Sequence, residues 1–232
     1  MSKSKRNLLI VLVGFPLVYI LYTLTPWATE LFTKGNSNVF IPFWSGIIIL
    51  HWASLFIVKM FLKQENKTWT DIGYGLNTKK TLILVFSYLT VAFLIFGFTE
   101  MSLNYVSIDQ SKLLNLSNFF PKTTSQRLLF IITVLTAGFC EEIIYRGFAI
   151  TKLTAAGLNK WLALVPAGIS FVFIHGMGAI AGGYSQFLFY FTPALIFGII
   201  FILSKRLLPA IIIHLLFDLT AMMAIFQAIS ER

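Results

Sequence analysis

Residues 128–150 read LLFIITVLTAGFCEEIIYRGFAI, an almost unbroken apolar run. A helix needs about 20 such residues to cross the hydrocarbon core of a bilayer, so this run predicts a membrane span. It nevertheless contains Glu141, Glu142 and Arg146. Because an unpaired charge costs several kcal/mol in that environment, a span that retains three charged residues indicates a buried polar site.

Six more apolar runs extend the same architecture. Hydrophobic residues make up 57% of the chain and charged residues only 12%, whereas soluble domains carry about 25% charged residues. Since backbone polar groups in lipid must be satisfied within the span, each run predicts a helix. The predicted fold class is therefore all-α, a polytopic transmembrane helix bundle of about seven spans. The predicted spans are Leu8–Leu24, Phe40–Leu62, Leu82–Met101, Leu128–Ile150, Trp161–Ala181, Tyr184–Leu203 and Leu207–Ile229.

The spans are expected to form one membrane domain with two parts. Residues 1–127 would supply N-terminal membrane helices and loops, and residues 128–232 would form a polar helical core. The glycine-rich stretch 176–183 can interrupt the fifth span, because glycine adopts conformations that end helices. The sequence leaves open whether Ser102–Arg127 contains an eighth, short helix. An interfacial turn is predicted at Trp69–Leu76.

The basic residues predict the orientation in the membrane. With a cytoplasmic N-terminus, twelve Lys and Arg residues lie on the cytoplasmic side and five on the other, and Arg146, within a span, completes the 18. An excess of this kind marks cytoplasmic loops. We therefore expect a multi-pass protein of the cell membrane. The net charge of +9 comes from these loop clusters, and without a basic stripe among aromatics it does not predict a nucleic-acid partner.

The spacing of the charged residues in the fourth span predicts how they are arranged. Glu142 and Arg146 are four residues apart, so they share a helix face and can form an ion pair. Glu141 lies about 100° around the helix from Glu142. One carboxylate can therefore be neutralised by Arg146 while the other faces a different neighbour.

Two other predicted spans carry ionisable residues. His175 lies in the fifth span, and His214 and Asp218 lie four residues apart in the seventh. With Pro166 in the first turn of the fifth helix, a position that proline favours, the three side chains and Glu141 lie roughly 10–16 Å from the cytoplasmic helix ends. The sequence therefore predicts one polar layer built from the fourth, fifth and seventh spans.

Two polar residues within spans are interpreted as structural. His51 has no ionisable neighbour in its own span, so we expect it to make a structural interhelical hydrogen bond. Cys140 adjoins Glu141 and is the chain's only cysteine. A cysteine buried in an apolar helix is usually inert, so we expect no role for its thiol.

The polar residues form three motifs on successive apolar helices, which are Glu141-Glu142-x-x-x-Arg146, Phe171-x-x-x-His175 and His214-x-x-x-Asp218. They resemble the three polar motifs of the CAAX protease and bacteriocin-processing membrane endopeptidases, also called the CPBP or Abi family. The resemblance covers about Leu128–Ile229, so residues 128–232 would be a CPBP-like catalytic core. Type II CAAX prenyl endopeptidases usually end the last motif in Asn, whereas bacterial-type members often have Asp, as here.

The resemblance implies a hydrolase that cleaves peptide bonds within the membrane. Glu141 and His175 would activate a water that attacks a peptide carbonyl, and His214 with Asp218 would stabilise the oxyanion. Asp218 could instead orient His214. The implied catalytic residues are Glu141, His175, His214 and Asp218, and the implied supporting residues are Glu142 and Arg146.

The sequence leaves open whether the site binds a metal ion. Two histidines and a glutamate suit Zn²⁺, and the ligands would then be Glu141, His175 and His214. The sequence has no His-Glu-x-x-His motif. No cofactor is therefore certain, and a zinc-dependent mechanism is the alternative to one without a metal.

The predicted partners are the lipid bilayer and a peptide or membrane-protein substrate. Prenylated CAAX peptides, pheromone precursors and bacteriocin leaders are all compatible with the resemblance. A proton- or ion-coupled transporter is one alternative, because buried Glu, His and Asp also form proton relays. A non-catalytic bacteriocin-immunity type protein is the other.

Overall fold

A computed structural model describes residues 2–75, 82, 86, 90, 121–181 and 183–230. Every regular element in these residues is helical and none is a strand, which confirms the all-α class. Besides a short 3-10 turn at Thr70–Ile72, the described ranges form eight helices. They are α1 (Lys3–Thr23), α2 (Pro26–Lys34), α3 (Ser37–Gln64), α4 (Thr124–Ala155), α5 (Lys160–Phe173), α6 (Met177–Ala181), α7 (Gly183–Ser204) and α8 (Leu207–Ser230).

Several of these helices have the length and composition of membrane spans. Helices α1, α3, α4 and α7 are long and apolar enough to cross a bilayer. Helix α5 and the Leu207–Thr220 part of α8 are apolar but shorter. The predicted span Leu82–Met101 and the short helix within Ser102–Arg127 lie outside the described residues, apart from isolated positions and the segment from 121 onward. The count of seven spans therefore stays a prediction.

The fifth predicted span, Trp161–Ala181, is not a single helix, and the interruption that its glycine-rich stretch allows is present. Helix α5 ends at Phe173, and a short non-helical break separates it from α6, which begins at Met177. Gly176 has a φ of +63°, and a Cβ atom there would lie 2.3 Å from Thr23 Oγ1. The same hydroxyl accepts a hydrogen bond of 2.9 Å from the backbone N–H of Met177. The end of α1 therefore packs against the break, where only glycine fits.

The expected position of Pro166 is also wrong. Helix α5 begins at Lys160, where the side chain of Asn159 caps it by accepting from the backbone N–H of Trp161. Pro166 therefore lies inside the helix and not in its first turn. The depth calculated for His175 does not apply, because His175 follows the end of α5 and lies at the break.

Helix α4 lies between α3, α5 and α8 and carries the central polar residues. Its Glu142–Ile150 part is a π-helix with all nine residues buried. Segments of this type are rare and occur often at functional sites. Gly138 allows α8 to approach, since a Cβ atom there would lie 2.7 Å from Leu215 Cδ2. The two helices can therefore bring polar side chains into direct contact.

A turn after α3 docks against the other end of α4. Ile72 is 2% exposed, and it lies where a Cβ atom on Gly147 would be 3.2 Å from its Cδ1. Gly73 adopts a φ of +88° and its carbonyl accepts a 3.0 Å hydrogen bond from the N–H of Leu207. The described part of the turn predicted at Trp69–Leu76, which ends at Gly75, is thus tied to α4 and to the start of α8.

Candidate functional site

Helices α3, α4 and α8 direct ionisable side chains towards one another in the interior. His51, Glu141, Glu142, Arg146 and His214 are each no more than 4% exposed. The chain has only three histidines, and two of them contact these glutamates directly. Burial of so many polar groups is stable only where each finds a partner.

Glu142 is the centre of one buried network. Its Oε1 atom lies 3.0 Å from Arg146 Nη1, in the ion pair that the spacing predicted, and 2.9 Å from His214 Nδ1. Arg146 Nη2 donates a further hydrogen bond of 3.1 Å to the carbonyl of Ala194 on α7. Arg146 therefore ties α4 to α7, and Glu142 ties α4 to α8.

Aromatic rings cover this network. The Arg146 guanidinium carbon lies 4.3 Å from the centroid of the Phe171 ring and 5.5 Å from that of Phe197. The His214 ring stacks on Phe197 at a centroid distance of 4.5 Å. Such rings attract cations and lower the local dielectric constant, so the charge interactions are stronger here than in water.

Glu141 faces two histidines, His51 and His214, whereas Glu142 contacts one histidine, His214. Its Oε1 lies 2.9 Å from His51 Nε2 on α3, and its Oε2 lies 3.8 Å from His214 Nε2 on α8. His51 thus makes the expected interhelical hydrogen bond, but its partner is Glu141. A contact with a proposed catalytic residue is not part of that expectation. Sequence reasoning missed this contact because 90 positions separate the two residues.

Asp218 lies on the outer side of His214. Its Oδ2 atom is 3.3 Å from His214 Nε2, and its side chain is 27% exposed. Both ring nitrogens of His214 therefore face carboxylates, Glu142 through Nδ1 and Asp218 through Nε2. Since a carboxylate oxygen accepts and an imidazole N–H donates, the arrangement favours His214 with protons on both nitrogens.

His175 lies beside this group at the end of α5. Its Nδ1 is 3.1 Å from the carbonyl oxygen of Phe171, and its ring stacks on Tyr190 at 3.9 Å. Because a carbonyl can only accept, Nδ1 carries the proton and the lone pair of Nε2 is available. The Phe171 ring contacts both His175 and His214, with centroid distances of 5.1 and 6.0 Å.

Glu141 and His175 interact electrostatically without direct contact. Within the described part of the chain, the hydrogen-bond and ion-pair partners of the Glu141 carboxylate are His51 and His214. His175 is close enough to Glu141 for a Coulomb interaction. A water or a substrate group between the two side chains, rather than a hydrogen bond, would have to link them.

The donor atoms do not fit the zinc alternative as they are arranged. Among the described residues, no three His, Cys, Asp or Glu side chains form a group suited to a metal ion. Both nitrogens of His214 are directed at carboxylates, and one oxygen of Glu141 is directed at His51. A zinc site needs ligand atoms that converge on one point with free lone pairs.

Cys140, next to Glu141, is fully buried in the apolar core. A thiol in such surroundings favours its neutral, unreactive form. The position is consistent with the structural role expected of it.

Residues 123–220 match a family model described as Rce1-like, type II CAAX prenyl endopeptidase Rce1-like. The match confirms, for this part of the chain, the resemblance to the CAAX proteases. Together with the long apolar helices, the match identifies a membrane protein. A search of curated proteins and a search of solved structures found no match. The matched range includes α4, α5 and most of α8. Helix α3 precedes this range in the chain and lies outside it.

Proposed function

We propose that this chain, with its Rce1-like domain at residues 123–220, is an intramembrane endopeptidase. It would hydrolyse a peptide bond of a membrane-associated peptide or protein. The observation that carries the proposal is the position of the Glu141 carboxylate, with one oxygen held by His51 and the other directed towards His214. A carboxylate held in a buried site of this kind is suited to act as a general base.

The first step of the proposed reaction is the activation of a water molecule. Glu141 and His175 orient a water and Glu141 takes its proton as the water oxygen attacks the peptide carbonyl. The proton then passes to the leaving amine when the carbon–nitrogen bond breaks. His175 contributes the Nε2 lone pair that its Phe171 contact leaves available.

His214 is proposed to stabilise the oxyanion. Glu142 fixes Nδ1 at 2.9 Å, and the Nε2–H, 3.3 Å from the partly exposed Asp218, would be shared between Asp218 and the developing oxyanion. A preorganised donor to a developing oxyanion contributes about 3 kcal/mol to the rate. Asp218 would orient His214, and the Glu142–Arg146 pair would hold α4 in place.

The N-terminal helices and the orientation complete the proposal. We place the N-terminus in the cytoplasm and assign residues 128–232 as the catalytic core. The family match names endopeptidases and gives no support to the transport or immunity alternatives.

The decisive experiment is cleavage of a membrane-peptide library by purified protein in detergent or vesicles. Wild type is expected to cleave at defined positions and Glu141→Gln to lose cleavage while remaining folded. Glu30→Gln is the matched control, because Glu30 lies on α2, outside the polar site, and pairs with Lys34. Equal cleavage by wild type and Glu141→Gln would remove Glu141 from the reaction. No cleavage by wild type would contradict the endopeptidase assignment.

A further inference from the structure

His51 is the one histidine that lies outside the matched range 123–220. It is on α3, is 4% exposed and contacts Oε1 of Glu141, whereas His214 faces Oε2. None of the three motifs includes it. Its burial and its contact with a carboxylate require a physical explanation, since a buried polar group without a matched partner is costly.

The hydrogen bonds of His51 fix which nitrogen holds a proton. Nδ1 lies 2.8 Å from the carbonyl oxygen of Ile47, one turn earlier in α3. A carbonyl oxygen only accepts, so Nδ1 carries a proton in every charge state of the ring. Nε2 is therefore the nitrogen that faces Glu141 Oε1, at 2.9 Å, and one proton lies between these two atoms.

The ring has little freedom to turn away from Glu141. The Tyr19 ring on α1 meets it edge to face, with a centroid distance of 5.2 Å and an interplanar angle of 79°. The backbone acceptor at Ile47 and the Tyr19 edge thus fix both the plane and the direction of the imidazole. A hydrogen bond from a ring held in this way restrains rotation of the carboxylate.

We propose that His51 is a positioning residue for Glu141. By holding Oε1, it leaves Oε2 as the oxygen that faces His214 and exchanges a proton with the reacting water. The inference rests on the proposed endopeptidase function. It also assigns α3, in the N-terminal part of the chain, a role in the site that the Rce1-like match does not include.

Three substitutions at position 51 test this role. His51→Phe keeps a ring but removes both hydrogen bonds. His51→Gln places an amide donor near the position of Nε2, whereas His51→Asn places it near Nδ1 and too far from Glu141. Misplacement of a catalytic group by about 1 Å can cost on the order of 100-fold in rate.

We therefore expect His51→Phe to lower kcat by about 10- to 100-fold with KM changed by less than about twofold. His51→Gln should recover most of the lost kcat and His51→Asn should not. If His51→Phe fails to fold, the difference between the Gln and Asn variants decides the question. Thr133→Val is the matched control: Thr133 is a buried polar residue on α4 whose hydroxyl bonds to Leu129, away from the site. Wild-type kcat in His51→Phe, or equal kcat in the Gln and Asn variants, would overturn the proposal.

A second measurement tests the contact without relying on cleavage. With ¹⁵N-labelled histidine, the three histidines give separate imidazole signals that single substitutions assign. Glu141→Gln should shift the His51 Nε2 signal, and Thr133→Val should not. An unchanged His51 signal would show that the contact is absent and would reject the positioning role. If the signal shifts but wild type cleaves nothing, the hydrogen bond stands, while the endopeptidase function and the positioning role both fail.

Discussion

Arg146 Nη1 lies 3.0 Å from Glu142 Oε1, and the two side chains are 2% and 0% exposed. The pair joins two charges one turn apart inside a helix that has the composition of a membrane span. Removal of one partner from a buried pair leaves an uncompensated charge and typically costs about 3–5 kcal/mol. The pair therefore matters more through the penalty for breaking it than through the energy of forming it.

This relationship predicts the relative stabilities of a single and a double variant. Arg146→Met leaves Glu142 with His214 as its remaining partner and removes the hydrogen bond to Ala194, so it should lower the stability of the folded protein. Glu142→Gln combined with Arg146→Met should recover part of the loss, because no unpaired charge remains. Thermal unfolding in detergent, followed by the fraction of monodisperse protein, measures both. A double variant less stable than Arg146→Met alone would contradict this account of the pair.

The sequence could predict the contacts that follow from helix periodicity. Glu142 with Arg146 and His214 with Asp218 are each four residues apart, and both pairs are found close together. The contact between His51 and Glu141 could not be predicted in this way. It depends on how α3 packs against α4, and spacing within one helix carries no information on such packing.

Two features of the backbone depend on the neighbouring helices. The glycine-rich stretch 176–183 indicates an interruption, but the position of the break depends on Thr23 of α1, which accepts from Met177 in a tertiary contact. The π-helical part of α4 begins at Glu142 and is buried throughout, so its geometry depends on the surrounding helices. Hydropathy identifies where a helix lies in the chain but not where it is interrupted by its neighbours.

Asp218 is expected to act as a hydrogen-bond acceptor for His214 Nε2. Asp218→Asn retains a carbonyl oxygen that can accept the same bond, so we expect it to keep measurable cleavage. Asp218→Ala removes the acceptor and should lower kcat by a further factor of about ten, the usual effect of about 1.4 kcal/mol on a barrier. Thr220→Ala provides the control, since this exposed α8 residue bonds only to Leu216 of its own helix in the described contacts. Full activity of Asp218→Ala would show that His214 needs no orienting partner.

Acid should weaken one ion pair outside the spans. Burial raises the pKa of Glu65, but hydrogen bonds from Lys152 and Asn7 lower it by more, so the folded-state pKa lies below its ordinary value. The contribution of Glu65 to stability is therefore complete above the unfolded-state value of about 4.3 and is lost as the pH falls through the lower folded-state pKa.

Two variants test this pH dependence. Glu65→Gln should be less stable than wild type at pH 7 and should show a weaker loss of stability on acidification. Lys152→Gln should behave similarly, and the double variant should lose less than the sum of the two single losses, because the residues share one interaction. Unfolding midpoints measured from pH 7 down to about pH 3.5 supply the comparison. Parallel acid profiles for wild type and Glu65→Gln would show that another group governs the acid sensitivity.

Chelators are expected to leave cleavage unchanged. The proposed reaction activates water by Glu141 and His175, and the nitrogens of His214 are directed at Glu142 and Asp218 rather than at a shared point with Glu141 Oε1. Incubation with a strong chelator, followed by removal of the chelate, should therefore not lower kcat by more than about twofold, which is a barrier change of about 0.4 kcal/mol. A sample that is treated in the same way but without chelator controls for loss of protein during this removal. Loss of cleavage that added Zn²⁺ restores and added Mg²⁺ does not would show that the side chains rearrange to bind zinc. The general-base role of Glu141 would then have to be replaced by that of a metal ligand.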